Sequence, residues 1–176
     1  ELNTTYELII TNNSGLWRYR IGDLIQFTSL NPYRIKVVGR TSHFISAFGE
    51  HVIGYEIEKV IESVINKFQL SIEDYHVSPN VEEKCYEWRI EWKESPKQSL
   101  LDLGEFLDLE LSKRNLYYKH LIDGSIINRA KMFSIVSGGF SALRQKLGKE
   151  GGQNKVVKLS NSKSVVMQLK EYQLDS

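Results

Sequence analysis

The segment GLWRYRIGDLIQF, residues 15–27, has the apolar and aromatic content of a buried strand, yet Arg18, Arg20 and Asp23 stand in it around Gly22. Isolated charges are not left in an apolar interior, so these are paired, solvated or used. Taken alone, YRIGD (Tyr19 to Asp23) is an ordinary surface ion pair beside a hairpin turn. Two further stretches follow it in order. GRTSHFISAFGEHVIGYEIE (Gly39 to Glu58) begins sixteen residues after Asp23, and the basic, glycine-rich GKEGGQNKVVKLSN (Gly148 to Asn161) lies far downstream. Other searches for chemistry return little. His43, His51, His76 and His120 have no zinc-ligand spacing and no cysteine companions. The chain contains no G-x-S-x-G elbow and no G-x-x-x-x-G-K-[ST] loop. Ser137 to Ser141, SGGFS, has the composition to turn amides toward a phosphate, although a plain turn into a helix is the commoner use of such a stretch. Cys85 sits in a strand-like alternation, where a small buried thiol is the ordinary reading.

The 176 residues are 41% apolar and 11% aromatic, enough for one good core and the edge of a second. The single cysteine rules out an internal disulfide framework, and a reducing cytoplasm fits best. No run is long enough to span a bilayer and no basic-then-apolar leader opens the chain, so a soluble protein is expected. Net charge is +1 but uneven: residues 144–176 carry seven Lys and Arg against three Asp and Glu. The tail is where an anion would go. Basic and aromatic residues are not interleaved as on a single-strand platform, which argues against nucleic acid. The chain opens at Glu1 inside a strand-like pattern, as an excised piece of something longer would.

The elements that must position these residues are legible from their periods. Tyr6 to Thr11 reads as a strand, NNSG (Asn12 to Gly15) as a turn and Leu16 to Ile21 as the returning strand of a hairpin. DLIQFT and YRIKVVG continue the pattern, with Gly22 letting the backbone turn tightly between the strand pieces. From Ile57, apolar residues recur at Val60, Ile61, Val64, Ile65 and Phe68, an amphipathic helix. YEWRIEWK then alternates, with Tyr86, Trp88, Ile90 and Trp92 on one face and Glu87, Arg89, Glu91 and Lys93 on the other, the pattern of a strand with one buried face. Leu100, Leu103, Leu107 and Leu111 predict a second helix. AKMFSIV reads as a strand, Phe140 to Leu147 as a short helix and Val165 to Tyr172 as a closing one. The fold class expected is α+β: a small mixed sheet with helices on one face, preceded by β-hairpin strands that belong to a larger N-terminal domain.

The three stretches, in this order and spacing, resemble the adenylate-forming superfamily, whose pattern runs Y-R-x-G-D, then G-R-x-D-x-x-I-K-x-x-G-x-x-[IV]-x-x-x-E-I-E, then a C-terminal lysine. Within it, RYRIGDLIQFTSLNPYRIKVVGRTSHFISAFGE and the late GKEGGQNK look like the bacterial branch of the Gretchen Hagen auxin-responsive promoter family, the acyl acid-amido synthetases. The resemblance covers essentially the whole chain and is sharpest from Tyr6 to Glu58. It implies an ATP-dependent ligase that activates a small carboxylic acid as an acyl-adenylate and passes it to an amine, usually that of an amino acid, with Mg2+ accompanying the ATP. By the same resemblance Tyr19 and Asp23 would belong to the nucleotide site, with Asp23 accepting the ribose hydroxyls. Arg40 would reach ribose or phosphate oxygens with its planar fork. Lys155 would neutralise charge as pyrophosphate leaves, with Lys158 as the other candidate. Ser42 would be the hinge, where the pattern has aspartate. Ser46 stands where many relatives have lysine, and the late segment lacks the usual proline and arginine. Residues 1–40 would then be terminal strands of the large adenylating domain and 41–176 a mobile C-terminal domain, inactive by itself because the triphosphate loop and the acyl pocket lie outside these residues. Two other readings are a noncatalytic protein-interaction module with the face of Tyr86, Trp88 and Trp92 exposed, and nucleic acid binding through the basic tail.

Overall fold

In a computed structural model of the chain, which describes residues 1–2, 4–40, 44–148 and 157–174, the strands sort into three sheets. β1 (Thr5–Ile10), β2 (Tyr19–Leu30) and β3 (Tyr33–Arg40) form an antiparallel meander in that order. The tight turn expected at Gly22 is corrected: β2 runs through it without a break. Glu7 pairs with Leu24 but Ile9 with Arg20, so β2 carries extra residues opposite Leu8, and Gly22 sits among them with φ of 84°. Glycine takes that conformation without the clash a Cβ would bring, and the result is a bulge rather than a strand end.

β4 (Phe44–Ile45) and β5 (Val52–Ile53) make a short hairpin that leads into α1 (Gly54–Phe68). Ile57, Val60, Ile61 and Val64 are buried on α1, the stripe that their spacing requires. The third sheet has the order β6 (Ile72–Asn80), β7 (Cys85–Trp92), β8 (Lys131–Ile135), with β7 antiparallel to β6 and parallel to β8. Parallel neighbours need a crossover. Here it consists of α2 (Leu100–Arg114), started by the Ser99 hydroxyl on the Asp102 amide, and α3 (Leu116–Asp123), started by the Asn115 side chain on the Tyr118 amide. α3 has no counterpart in the sequence reading. α4 (Gly139–Lys146), α5 (Lys163–Leu169) and a 3-10 turn at 170–172 complete the chain.

The α+β class and the small mixed sheet are as expected, and the helical layer α1 to α3 covers the face that carries Tyr86, Trp88 and Ile90. The second face is covered as well. Every residue of β7 is buried, including Glu87, Arg89 and Glu91, while Ile135 from β8 packs with Phe140 and Leu143 of α4 and Leu169 of α5. Strict alternation shows that the two faces differ and does not show that one is wet. The exposed aromatic surface of the interaction-module reading is therefore overturned: Tyr86 and Trp88 are 0% exposed and Trp92 is 8% exposed. A separate small cluster of Leu24, Val38 and Ile53, backed by Phe44 and Tyr55, joins the meander to α1.

α2 supplies a comparison within one helix. Leu107 is fully buried and Leu109, two residues on, is half exposed. Leu107→Ala is expected to cost about 2–5 kcal/mol, and Leu109→Ala to stay within about 0.5 kcal/mol, as read from urea midpoints of the two variants. Equal midpoints would show that α2 packs through another face.

Candidate functional site

Asp23 and Arg40 face each other directly in the β2–β3 register. A bulge at Val38 sets that register, since Ile25 pairs with Val37 but Leu24 with Gly39, and Leu24 is buried against Val38 and Ile53. The Arg40 Nε donates to Asp23 Oδ1 at 3.1 Å. The Asp23 side chain is 18% exposed and that of Arg40 is 66% exposed, so the carboxylate is held in the sheet while the guanidinium reaches out. Among the described residues, Asp23 Oδ2 and the two Nη groups of Arg40 have no hydrogen-bond partner.

Beside Arg40 a groove of about 440 Å3 runs between β3 and α1, lined by Val37, Val38, Gly39, Gly54, Tyr55 and Glu58. The Tyr55 ring has Lys36 Nζ 5.5 Å and Lys59 Nζ 5.6 Å from its centre, close enough for both cations to feel the ring quadrupole. Lys59 is itself held by Glu62 at 2.6 Å, which raises its pKa. The groove thus combines an apolar wall, one aromatic ring, the Arg40 guanidinium and the Glu58 carboxylate, with Lys36 and Lys59 flanking the ring.

The remaining expected residues are placed as follows. Tyr19 opens β2 beyond the bulge, opposite Ile10, half exposed, and makes no hydrogen bond to Asp23 or Arg40. The Arg20 guanidinium is engaged on both oxygens of Glu7 across β1 and β2, which lowers the pKa of Glu7 and raises that of Arg20. Arg18 stands before β2 with φ of 48°, its amide donating to Thr11 Oγ1 at 3.1 Å. Ser42 and Lys155 lie outside the described residues. Lys158 is described: its Nζ lies 4.6 Å from the centre of the Tyr75 ring, and its carbonyl accepts the Val77 amide at 2.9 Å.

The SGGFS stretch starts α4 with its amides already taken. The buried Glu91 carboxylate accepts from the Gly138 amide at 2.6 Å and the Phe140 amide at 3.0 Å, so the helix N-terminus has an internal anion in place of a phosphate. Cys85 is fully buried, and burial pushes its thiol up to about 11, the setting of an inert cysteine. No group of three His, Cys, Asp or Glu that could hold a metal ion occurs among the described residues, and no helix among them is long and apolar enough to cross a membrane.

Sequence reasoning missed the carboxylates that hold the hairpin beside the site. Glu50, 0% exposed, accepts the Ala47 amide at 3.2 Å, the Phe48 amide at 2.8 Å and the Tyr86 hydroxyl at 2.5 Å. Asp108 accepts the Tyr118 hydroxyl at 2.6 Å and the Ala130 amide at 2.9 Å. Burial raises the pKa of Asp108 and pushes both tyrosines well above their usual range. Glu56 caps α1 by accepting the Ile53 amide at 2.9 Å. The Glu56 bond is local, but Ile53 at the cap position lacks the Ser or Thr that would signal it; the Tyr86 partner of Glu50 and the Ala130 partner of Asp108 are distant in sequence.

The tail docks on β6 through His76, whose Nδ1 meets the Val157 carbonyl at 2.6 Å. A carbonyl only accepts, so Nδ1 carries a proton and donates it to Val157. Burial lowers the imidazole pKa to about 4, with Val157 and Asp74 opposing the shift and Arg89 adding to it. The unfolded ring binds a proton near 6.5 and the folded one near 4, so this contribution to stability is complete above about pH 6.5 and is lost as pH falls toward 4. Over that window the folding constant of the wild type should fall by up to about tenfold more per pH unit than that of His76→Gln, measured by urea titrations at several pH values. Parallel slopes would show that the folded imidazole takes up its second proton as readily as the unfolded one.

Residues 1–40 match the GH3 family central domain and residues 55–164 the GH3 family C-terminal domain. The indole-3-acetic acid-amido synthetase GH3.2 of Arabidopsis thaliana is 30% identical over 70 residues, 39% of this chain and 13% of that protein. Among solved structures, the GH3.15 acyl acid amido synthetase superposes with a TM-score of 0.73 at 18% identity, over 99% of this chain and 35% of that one. The AtGH3.15 acyl acid amido synthetase in complex with 2,4-DB gives 0.71 at 18% identity, over 99% of this chain and 34% of that one. The chain spans about a third of the length of these solved relatives.

Proposed function

The chain belongs to the GH3 family, whose C-terminal domain it matches over residues 55–164, and on that premise we propose that it is the C-terminal part of an ATP-dependent ligase that joins a small carboxylic acid to an amine, an amino acid being the favoured amine. In the proposed reaction a carboxylate oxygen attacks the α-phosphorus of ATP and the bond to pyrophosphate breaks. The amine nitrogen then attacks the acyl carbon, the bond to AMP breaks, and an amide and a proton are released.

The observation that carries this reading is the Asp23–Arg40 pair at the mouth of the β3–α1 groove. Asp23 uses one oxygen on Arg40 and presents the other, an acceptor suited to ribose hydroxyls. Its carboxylate also fixes the guanidinium through Nε, so that both Nη groups point outward as a set fork for ribose or phosphate oxygens. An ion pair this exposed contributes roughly 0–1 kcal/mol to stability, which leaves orientation of the fork as its main use. Lys155 is assigned to neutralising charge on the departing pyrophosphate and Ser42 to the hinge between residues 1–40 and 41–176. Tyr19 is assigned to the same nucleotide site by its place on β2. Mg2+ enters this proposal with the phosphates of ATP, and none of the described residues is assigned to it. The names of the relatives, an indole-3-acetic acid-amido synthetase and an acyl acid amido synthetase solved with 2,4-DB, support an aryl-containing acid as substrate.

In the complete ligase, Asp23→Asn and Arg40→Ala should each lower ATP–pyrophosphate exchange by on the order of 100-fold, and the double variant should lose little more than the worse single one because the two groups act as a unit. Exchange unchanged in both singles would sink the proposal. The isolated chain should show no single turnover of acyl-adenylate formation.

A further inference from the structure

We propose that the β3–α1 groove is the subsite for the amine substrate: an amino acid whose ammonium is received by Glu58, whose carboxylate is received by Lys36, and whose apolar side chain lies against Tyr55. The subsite rests on the ligase reading above, which puts the nucleotide on Asp23 and Arg40 at the mouth of the groove.

Glu58 is the one carboxylate among the residues that line the groove. It follows Tyr55 by three positions on α1, so the two side chains leave the helix as neighbours. Glu58 is exposed, and among the described residues its carboxylate accepts no hydrogen bond and makes no ion pair. Lys36, on β3, has its Nζ 5.5 Å from the centre of the Tyr55 ring and likewise makes no ion pair among the described residues. The other cation at that ring, Lys59, is 5.6 Å from its centre and already neutralised by Glu62 at 2.6 Å. An acid and a base thus stand at one ring without closing on each other, and each is left to be matched from outside.

The charges select among the reactants. The carboxylic acid and the phosphates of ATP carry only negative charge, and Glu58 repels both. The amine is the one reactant with a positive group. A free amino acid carries an ammonium and a carboxylate on the same carbon, and so answers Glu58 and Lys36 together. Its side chain meets Val37, 62% exposed, and the Tyr55 ring, which give the groove of about 440 Å3 its apolar wall. Glu58 binds and orients only: the ammonium gives its proton to water in this open groove before the nitrogen attacks the acyl carbon.

The test uses the complete ligase, because exchange of pyrophosphate into ATP needs no amine and amide formation does. Glu58→Gln should raise KM for leucine by about tenfold or more while ATP–pyrophosphate exchange stays within about twofold of wild type, a split that loss of folding would not produce. Lys36→Met should raise KM for leucine by a similar factor and leave that for leucinamide, which has the ammonium without the carboxylate, within about twofold; Glu58→Gln should raise both. Tyr55→Ala should lower kcat/KM for phenylalanine about fivefold more than for glycine. Lys163→Ala, which removes only the exposed pair with Glu82, should match wild type throughout. Unchanged KM for leucine in Glu58→Gln, with exchange intact, overturns the subsite and leaves the ligase reading standing. Exchange that falls together with amide formation in Glu58→Gln moves the residue to the nucleotide site and also overturns the subsite. Equal KM for leucine and leucinamide in the wild type overturns the Lys36 contact. No acyl-adenylate from the complete wild-type protein overturns the ligase reading and the subsite with it.

Discussion

The structure depends on carrying a charged strand through its centre. β7 has neighbours on both sides and layers on both faces, yet Glu87, Arg89 and Glu91 alternate along it. Each buried charge must find a partner, because an uncompensated charge inside a protein costs several kcal/mol or more. Glu91 is answered by the amides that begin α4. Arg89 is answered by Glu87 at 2.7 Å and by the Phe133 ring 4.9 Å from its guanidinium carbon, and Glu87 takes a further bond from Asn80 at 2.8 Å. The position of α4 and the layer over the second face follow from those requirements.

The two faces of the sheet are consequently unequal. One is closed by a large apolar cluster that joins α1, α2, α3 and the sheet. The other rests on a four-residue cluster and on polar contacts, and within the described residues Arg89 Nε and Nη1, Ser78 Oγ and His76 Nε2 have no protein partner. Unmet donors and acceptors of this kind cost about 1–3 kcal/mol each.

How much of this was legible depends on the range of the interaction. The stripe of α1 and the leucines of α2 are encoded within a few residues, and the structure follows them. Asp23 and Arg40, seventeen positions apart, were readable as a pair only through family resemblance, because their meeting depends on a bulge that composition does not specify. Gly22 illustrates the difficulty: glycine permits a turn and a bulge equally, and the pairing of Glu7 with Leu24 decides between them. The charges of β7 read as a solvent face because alternation records polarity and not exposure. Glu50 and Asp108 were invisible for a related reason, since a carboxylate that receives amides and a tyrosine hydroxyl deep in a fold looks, in sequence, like any surface acid.

The proposed site also shows why stability and function have separate locations in this chain. Core residues such as Leu107 contribute several kcal/mol each on truncation, whereas the Asp23–Arg40 pair, with an exposed guanidinium, contributes little. The Glu110 pairs differ: burial pushes the Glu110 carboxyl up, but bonds from Lys113 and Arg114 bring it down to about 2, and Arg114 also bonds the Ser63 hydroxyl. Asp23 and Arg40 are instead satisfied on one side and open on the other. That asymmetry is what a sheet needs if it is to hold a ligand's oxygens between a fixed acceptor and a fixed donor fork. The small cluster of Leu24, Val38 and Ile53 behind the pair packs β2 and β3 against the start of α1 and so holds the pair beside the groove.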